Sequence, residues 1–265
     1  MIKLAALLLI SLCLVIPPLT KADNHIAVAI ILDDIGHNYT RGRQALALKG
    51  AFTYAILPQT QHARQLAEEA HALNKEIMVH VPMESIGGVP YGTGGDGLDR
   101  TMTRREFDKV LSALIDSIPH ASGVNNHQGS MLTQQTTAMH WLMDEVSKRR
   151  LYFVDSRTSG GTVARNIASV RQIFSGTRDV FLDVEQTPEF VHGAFHKLIR
   201  IARRNGTAIA IGHPHKVTIN YLKTAESLLN AQGISLIPAS NLIALQQIKR
   251  LSQAQVTREP ASSGE

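Results

Sequence analysis

Short apolar runs recur along this chain, and longer amphipathic stretches separate them. The first run, residues 26–32, has no polar residue at alternate positions. Such a run predicts a strand that is buried on both faces, as in a parallel sheet, rather than a strand with one face in solvent. Similar runs follow at residues 52–57, 76–81, 123–126, 152–154, 180–182, 207–211 and 234–237.

Amphipathic stretches predict helices between these strands, at residues 61–73, 103–118, 136–150, 188–204 and 218–231. Thr103 and Glu106 have the spacing of a capping box. Pro188 suits the first turn of a helix, and Gly206 and Gly233 suit helix exits. Repeated strand–helix–strand units imply a parallel sheet with helices outside it. About seven or eight such units can close a barrel, and an open doubly wound sheet is the alternative.

The first 22 residues have the pattern of an export signal. Lys3 precedes an apolar stretch, Pro17 ends that stretch, and residues 20–22 offer a cleavage site. The stretch is shorter than the roughly 20 residues of a membrane span. We therefore expect a periplasmic protein without a stable membrane span, with an uncleaved N-terminal anchor as the alternative. One domain, residues 23–251, and a polar tail, residues 252–265, are expected to follow.

The cysteine content and the charge exclude several classes of function. Cys13 is the only cysteine and lies in the export segment, so the mature chain has no disulfide, thiol nucleophile or thiolate ligand. The net charge of +5 falls to +3 when Lys3 and Lys21 are removed with that segment. The basic residues are scattered and form no continuous stripe for nucleic acid. Because the mature chain has no thiolate, any metal must be held by His, Asp or Glu.

Polar side chains collect where the predicted strands end. Because the carboxyl ends of parallel strands meet on one face of the sheet, we expect these side chains to lie close together. A cation held among them would activate water and polarise a carbonyl group. Each residue taken alone has a second explanation, as a cap of the following helix. The residues are Asp33, Asp34, His80, Glu84, Asn126, His127, Asp155, Asp183, His213 and His215.

The segments that carry these residues resemble the divergent polysaccharide deacetylases. The resemblance extends from about residue 26 to residue 242 and implies a distorted (β/α) barrel of about seven parallel strands. It also implies a hydrolase that deacetylates an N- or O-acetylated polysaccharide, for which peptidoglycan is the natural candidate in an exported protein. The motifs are LDDIG (32–36), HVPME (80–84), GVNNHQGS (123–130), FVDSRTS (153–159), RDVFLD (178–183) and AIAIGHPH (208–215).

The same resemblance implies a ligand set for a divalent metal, with zinc as the first candidate. It makes Asp34 and His80 metal ligands. Glu84 stands where related deacetylases have a second metal histidine. The third ligand is therefore either His127, which we favour, or Glu84. Three protein ligands that leave one position open are the arrangement of catalytic zinc.

The remaining roles follow from the same resemblance. Asp33 is implied to be the general base, and His213 the acid that protonates the leaving amine or alcohol, with His215 as its substitute. Asn126 is expected to orient a ligand or the acetyl group. Substrate-binding roles are assigned to Glu84, Asn126, Asp155 and His215.

Two other functions remain open at this point. A glycoside hydrolase needs two separated carboxyl groups and no metal, and Asp33, Glu84, Asp155 and Asp183 could supply them. The strand-end histidines argue against it. A carbohydrate-binding or regulatory protein of the cell envelope that keeps the barrel without turnover is the second alternative, because a fold does not establish an activity.

Overall fold

The computed structural model describes residues 26–88 and 97–256, without the side chains of residues 253–256. The predicted export segment, most of the glycine-rich loop at residues 87–97 and the last nine residues lie outside these ranges. Within them, no helix combines the length and the apolar content that a membrane crossing requires.

A curled parallel sheet forms the centre of the described chain. Its strands are β1 Ile26–Ile35, β2 Thr53–Ile56, β3 Glu76–Met83, β4 Gly123–Gln128, β5 Tyr152–Asp155, β6 Ser175–Thr177, β7 Val180–Phe181, β8 Thr207–Gly212 and β9 Ile234–Leu236. They lie in the order β6-β5-β4-β3-β2-β1-β8-β7, with β9 also paired to β1. Every pairing is parallel. The predicted barrel-like parallel fold is thereby confirmed.

Helices follow most of the strands and cover the sheet. They are α1 Tyr39–Leu46, α2 Ala63–Ala72, α3 Arg104–Asp116, α4 Thr136–Lys148, α5 Ala164–Val170, α6 Pro188–Asn205, α7 Lys216–Leu222, α8 Ala225–Asn230 and α9 Ala239–Val256. The predicted capping box of Thr103 and Glu106 starts α3, and Pro188 opens α6. Gly206 ends α6 with a left-handed φ of 79°, which a residue with a Cβ adopts at a cost.

Strand β1 shows how the two faces of the sheet are used. Val28, Ile30 and Leu32 face the large core beneath the outer helices. Ala27 and Ala29 alternate with them and belong to a smaller core together with Leu242 of α9. Small side chains on this inner face let α9 pack against the sheet, so both faces of β1 are buried, as continuous apolar strands require.

Several elements differ from the sequence prediction. Residues 218–231 do not form one helix, because Thr224 interrupts the helix and its hydroxyl donates a hydrogen bond to the Tyr221 carbonyl. Helices α1, α5 and α9 and the short strand β6 were not predicted. Helix α9 continues to Val256, so it includes the first residues of the predicted tail, and the rest of that tail lies outside the described residues.

Candidate metal centre

The end of β1 brings two adjacent carboxylates to the same place. In a regular strand, neighbouring side chains point to opposite faces. Asp34 instead has a left-handed φ of 57°, which an aspartate tolerates better than most residues. As a result, Asp33 Oδ2 lies 3.6 Å and Asp34 Oδ1 lies 3.2 Å from Nε2 of His80.

Two imidazoles from neighbouring strands complete the cluster. His80 of β3 and His127 of β4 lie on adjacent strands, where His80 pairs with Asn125 and Pro82 with His127. His127 Nδ1 is 3.1 Å from His80 Nε2 and 3.0 Å from Asp34 Oδ1. Asp34, His80 and His127 each offer a ligand atom, and these atoms lie within 4.8 Å of one another.

Asn125 sets the protonation pattern of this cluster. Its amide nitrogen donates to Asp33 Oδ1 over 2.8 Å, so its oxygen faces His80 Nδ1, 2.7 Å away. An amide oxygen only accepts hydrogen bonds, and His80 Nδ1 must therefore carry the proton. In the neutral imidazole this leaves the lone pair on Nε2, directed at Asp34 and His127. An orienting partner of this kind is typical of histidines that ligate metals.

The surroundings of Asp34 Oδ1 fit a cation. This oxygen is buried and makes no hydrogen bond, although both histidine nitrogens are near it. A buried carboxylate oxygen without a donor is costly. A cation between Asp34, His80 and His127 would meet that oxygen and two imidazole lone pairs, so the donor set fits zinc or a similar divalent ion.

The two carboxylates at the end of β1 are held in different states. Burial raises the pKa of Asp33, and this effect outweighs the opposing influence of His80 and His213. Burial also disfavours ionisation of Asp34, but the imidazoles of His127 and His80, 3.0 Å and 3.2 Å from its Oδ1, hold the pKa of Asp34 far below its usual range when they are protonated. Asp33 is therefore the more basic carboxylate, whereas Asp34 remains ionised.

A third histidine, which follows β8, lies beside this cluster. His213 Nδ1 lies 3.0 Å from Asp183 Oδ1, and its Nε2 lies 3.8 Å from Asp34 Oδ2. Asp183 also accepts hydrogen bonds from the His213 backbone N–H and from the Thr218 hydroxyl. Burial disfavours the charged imidazole, but Asp183 outweighs it and raises the pKa of His213 to about 9. His213 is thus held as a proton donor at neutral pH.

His215 lies in a second group of possible ligand residues, with Asp183 and His213. Burial lowers the pKa of His215 and outweighs the opposing influence of Asp183, and the nearby His213 and Arg41 lower the pKa further. A cavity of about 170 Å³ reaches from Asp34 and His213 to His215. His215 therefore lies at the rim of the cluster.

Three other predicted site residues are bonded within the protein outside the cluster. Glu84 accepts a hydrogen bond from the Arg100 N–H and faces its guanidinium at 3.4 Å. The structure therefore does not bring Glu84 into the Asp34–His80 cluster, and the ligand set with Glu84 is not assembled. Asn126 bonds to the Gln128 carbonyl and the Ser156 N–H.

Asp155 is the third of these residues. It accepts hydrogen bonds from the Arg157 N–H and the Thr162 hydroxyl, each over 2.9 Å. Both carboxylate oxygens are therefore used to close the loop after β5, as in the capping interpretation.

The sequence analysis assigned a role to Asn126 and none to its neighbour Asn125, which the structure places in this site. The signal was present, because alternate residues of a strand share a face. His127 was assigned to the cluster, so Asn125, two residues earlier, belongs to the same face of β4. Asn126 belongs to the other face, where it ties β4 to the loop after β5.

Residues 30–243 match the sequence profile of a family described as divergent polysaccharide deacetylases. The chain belongs to this family. The match spans all six motifs and includes Asp34, His80, His127 and His213. It confirms the resemblance on which the site was first assigned.

Known proteins are similar to this chain in sequence or in fold. The protein YibQ of Escherichia coli (strain K12), described as uncharacterized, is 35% identical over 216 residues, which are 82% of this chain and 67% of YibQ. A crystal structure of an uncharacterized protein from Agrobacterium tumefaciens C58 has 24% identity and a TM-score of 0.79, and covers 84% of this chain and 91% of that one. The peptidoglycan deacetylase PdaC of Bacillus subtilis has 12% identity and a TM-score of 0.52, covering 89% and 98%. These structures share the fold of the chain.

Proposed function

We propose that this chain is an exported, metal-dependent hydrolase that removes acetyl groups from an N- or O-acetylated polysaccharide. The observation that supports this most strongly is the convergence of Asp34 Oδ1 with nitrogens of His80 and His127, without a hydrogen bond to that buried oxygen. Family membership supports the substrate class, because related deacetylases act on polysaccharides.

In this proposal Asp34, His80 and His127 hold one divalent cation, with zinc as the first candidate. A bound cation supplies Lewis acidity, which polarises the acyl carbonyl and lowers the pKa of water. Asn125 holds His80 so that Nε2 presents its lone pair, while Asp34 supplies the negative charge that a divalent ion needs.

Asp33 acts as the general base. Its pKa is raised by burial, and a base works best when its pKa lies closer to the working pH. Asn125 fixes one oxygen of Asp33 through its amide nitrogen. The other oxygen, which lies beside His80, takes the proton from the attacking water.

His213 completes the reaction as the acid. The Asp183 carboxylate orients its ring through Nδ1, so that Nε2 faces the cluster. This nitrogen donates a proton to the leaving amine or alcohol when the carbon–heteroatom bond breaks. A base and an acid beside the same cluster give the proton path that deacetylation needs.

The substrate and the cellular location are proposed from a structural relative and from the pattern of the N-terminal residues. The name of PdaC describes it as a peptidoglycan deacetylase, and peptidoglycan is accessible to a protein in the periplasm. The pattern of the first 22 residues supports export.

Acetate release tests the proposal. The full chain, stripped with a chelator and reloaded with zinc, is incubated with N-acetylated chitooligosaccharides and with peptidoglycan. We expect zinc-dependent acetate release that His80→Ala abolishes. Shortened glycans without acetate would support a glycoside hydrolase, and glycan binding with no product under any metal would support a non-catalytic protein.

A further inference from the structure

Three cavities on one side of the cluster join into a groove. The small cavity beside Asp34 and His213 shares Asn38 and Arg41 with a cavity of about 640 Å³ between α1 and α7. A third cavity, of about 450 Å³, shares His215 with the small one and Lys216 with the large one. The α1–α7 groove therefore runs outward from the candidate metal centre.

The α1–α7 groove is basic. Arg41, Lys216 and Lys223 line the larger of its two outer cavities, and the described residues lining both outer cavities include no Asp or Glu. Within the described part of the chain, none of these three cations has a salt bridge. Arg43, two residues after Arg41 on α1, contrasts with them because it pairs with Glu69 at 3.0 Å.

The remaining lining of the groove suits a hydroxylated chain. Asn38, Gln44 and Asn220 present side-chain amides along the larger cavity, and amides donate to and accept from hydroxyl groups. Tyr221 adds an aromatic ring in the third cavity. The groove thus combines sugar-binding groups with three positive charges.

We propose that the α1–α7 groove binds the anionic part of the substrate, so that the polysaccharide carries carboxylate or phosphate groups a short distance from the acetyl group that is removed. This inference rests on the proposed function, because it places the polymer on that site. Arg41, Lys216 and Lys223 pair with the anionic groups, and the amides hold the sugar hydroxyls.

Binding of three matched oligosaccharides tests the proposal. Chitotetraose carries acetyl groups without charge, a hyaluronan tetrasaccharide adds carboxylates, and an oligomer of N-acetylglucosamine 1-phosphate adds phosphates. Calorimetry with the full chain in an Asp33→Asn background measures affinity without turnover. Both anionic probes, or one of them, should bind about tenfold more tightly than chitotetraose, as expected from up to three exposed ion pairs. The anionic probe with the higher affinity shows whether the groove prefers carboxylate or phosphate groups.

Substitution of the three cations is the matched test. In the triple variant Arg41→Gln, Lys216→Gln, Lys223→Gln, the preference for anionic probes should disappear. Raising the ionic strength from about 0.01 M to about 0.15 M, which shortens the Debye length from about 30 Å to about 8 Å, should weaken anionic binding only in the protein that keeps these cations. All three side chains are exposed, so the variant is expected to fold.

A control variant with the same loss of charge is Arg64→Gln, Arg105→Gln, Lys109→Gln, whose exposed cations lie outside the groove. It should keep the preference. Equal affinity for charged and neutral probes, an unchanged preference in the groove variant, or no binding of any probe would overturn the inference. Acetate release by the protein with Asp33 intact is measured separately, so failure of the chemistry and failure of the groove are distinguished.

Discussion

Asp34 and Asp155 both stand at the carboxyl ends of parallel strands, yet their carboxylates have opposite surroundings. Both oxygens of Asp155 accept hydrogen bonds from its own loop, through the Arg157 N–H and the Thr162 hydroxyl. Asp34 Oδ1 is buried beside two histidine nitrogens and has no hydrogen bond. The loop after β5 provides hydrogen bonds to its own acid, whereas the end of β1 leaves Asp34 Oδ1 without one, where the proposed cation would bind.

The comparison shows that a position at the carboxyl end of a strand does not by itself identify a residue as a metal ligand. An acidic residue after a buried strand closes a loop when nearby donors reach it. It becomes available for a cation when its neighbours are other electron-pair donors, as at Asp34. The predictions below test this difference between Asp34 and Asp155, in order of decreasing effect.

The largest effect is expected at Asp33. Asp33→Asn should lower turnover by about 10²- to 10⁴-fold, the usual contribution of a general base. The bound metal should be retained, because Asp33 lies outside the proposed ligand set. Acetate release and metal content are measured on the same preparation. Full activity in this variant would refute the role of Asp33 as the base.

A smaller effect is expected at Asn125, which orients His80. Asn125→Ala should weaken metal affinity by about 10- to 100-fold, as removal of an orienting partner does. Competition with a chromogenic chelator measures the affinity. Asn125→Asp, which keeps an acceptor for His80 Nδ1, should retain more of it. An unchanged affinity in Asn125→Ala would remove Asn125 from the account of the site.

A substitution at Asp155 tests whether this acid stabilises its own loop and has no part in metal binding. Asp155→Ala should lower the free energy of unfolding by about 1–3 kcal/mol, because two part-buried hydrogen bonds to a buried carboxylate are lost. Metal content should remain that of the wild type. Urea unfolding and metal analysis together check this. Loss of the metal in Asp155→Ala would mean that the two strand ends are not independent.

The smallest effect is expected at Glu145, far from the strand ends. Burial opposes ionisation of Glu145, but hydrogen bonds from Arg149 and Ser112 outweigh it and hold its pKa below the usual 4.5. The stabilisation is present above pH 4.5 and is lost as the pH falls through the lowered pKa. Glu145→Gln should therefore lose less stability on acidification than the wild type does. Melting temperatures at a series of pH values test this, and parallel curves for the two proteins would contradict it.

The sequence predicted those parts of the fold that depend on local patterns. Continuous apolar runs indicate buried strands, and Thr103 with Glu106 marks the start of α3, because both signals lie within a few residues. Helix α9 was missed because its contact with the inner face of β1 depends on small residues more than 200 positions earlier, such as Ala27 and Ala29. Long-range packing of this kind leaves no local pattern.

The site was predictable to a similar extent. The motifs named the residues that the structure brings together at the ends of β1, β3, β4 and β8. The sequence could not predict which of these side chains keep a lone pair without a hydrogen bond. That depends on hydrogen-bond donors elsewhere in the chain. Arg100, 16 positions after Glu84, satisfies that carboxylate. The choice between Glu84 and His127 therefore needed the geometry.

The most direct test of the cation site is the metal content of the purified full chain, measured by elemental analysis without added chelator. We predict one divalent metal per chain in the wild type and in Asp155→Ala, and none in Asp34→Asn or His80→Ala. Zinc added to the stripped wild type at about 1,000 times its Kd should stabilise it by about 4 kcal/mol. A wild type that binds no metal, or a His80→Ala variant that keeps it, would contradict the account.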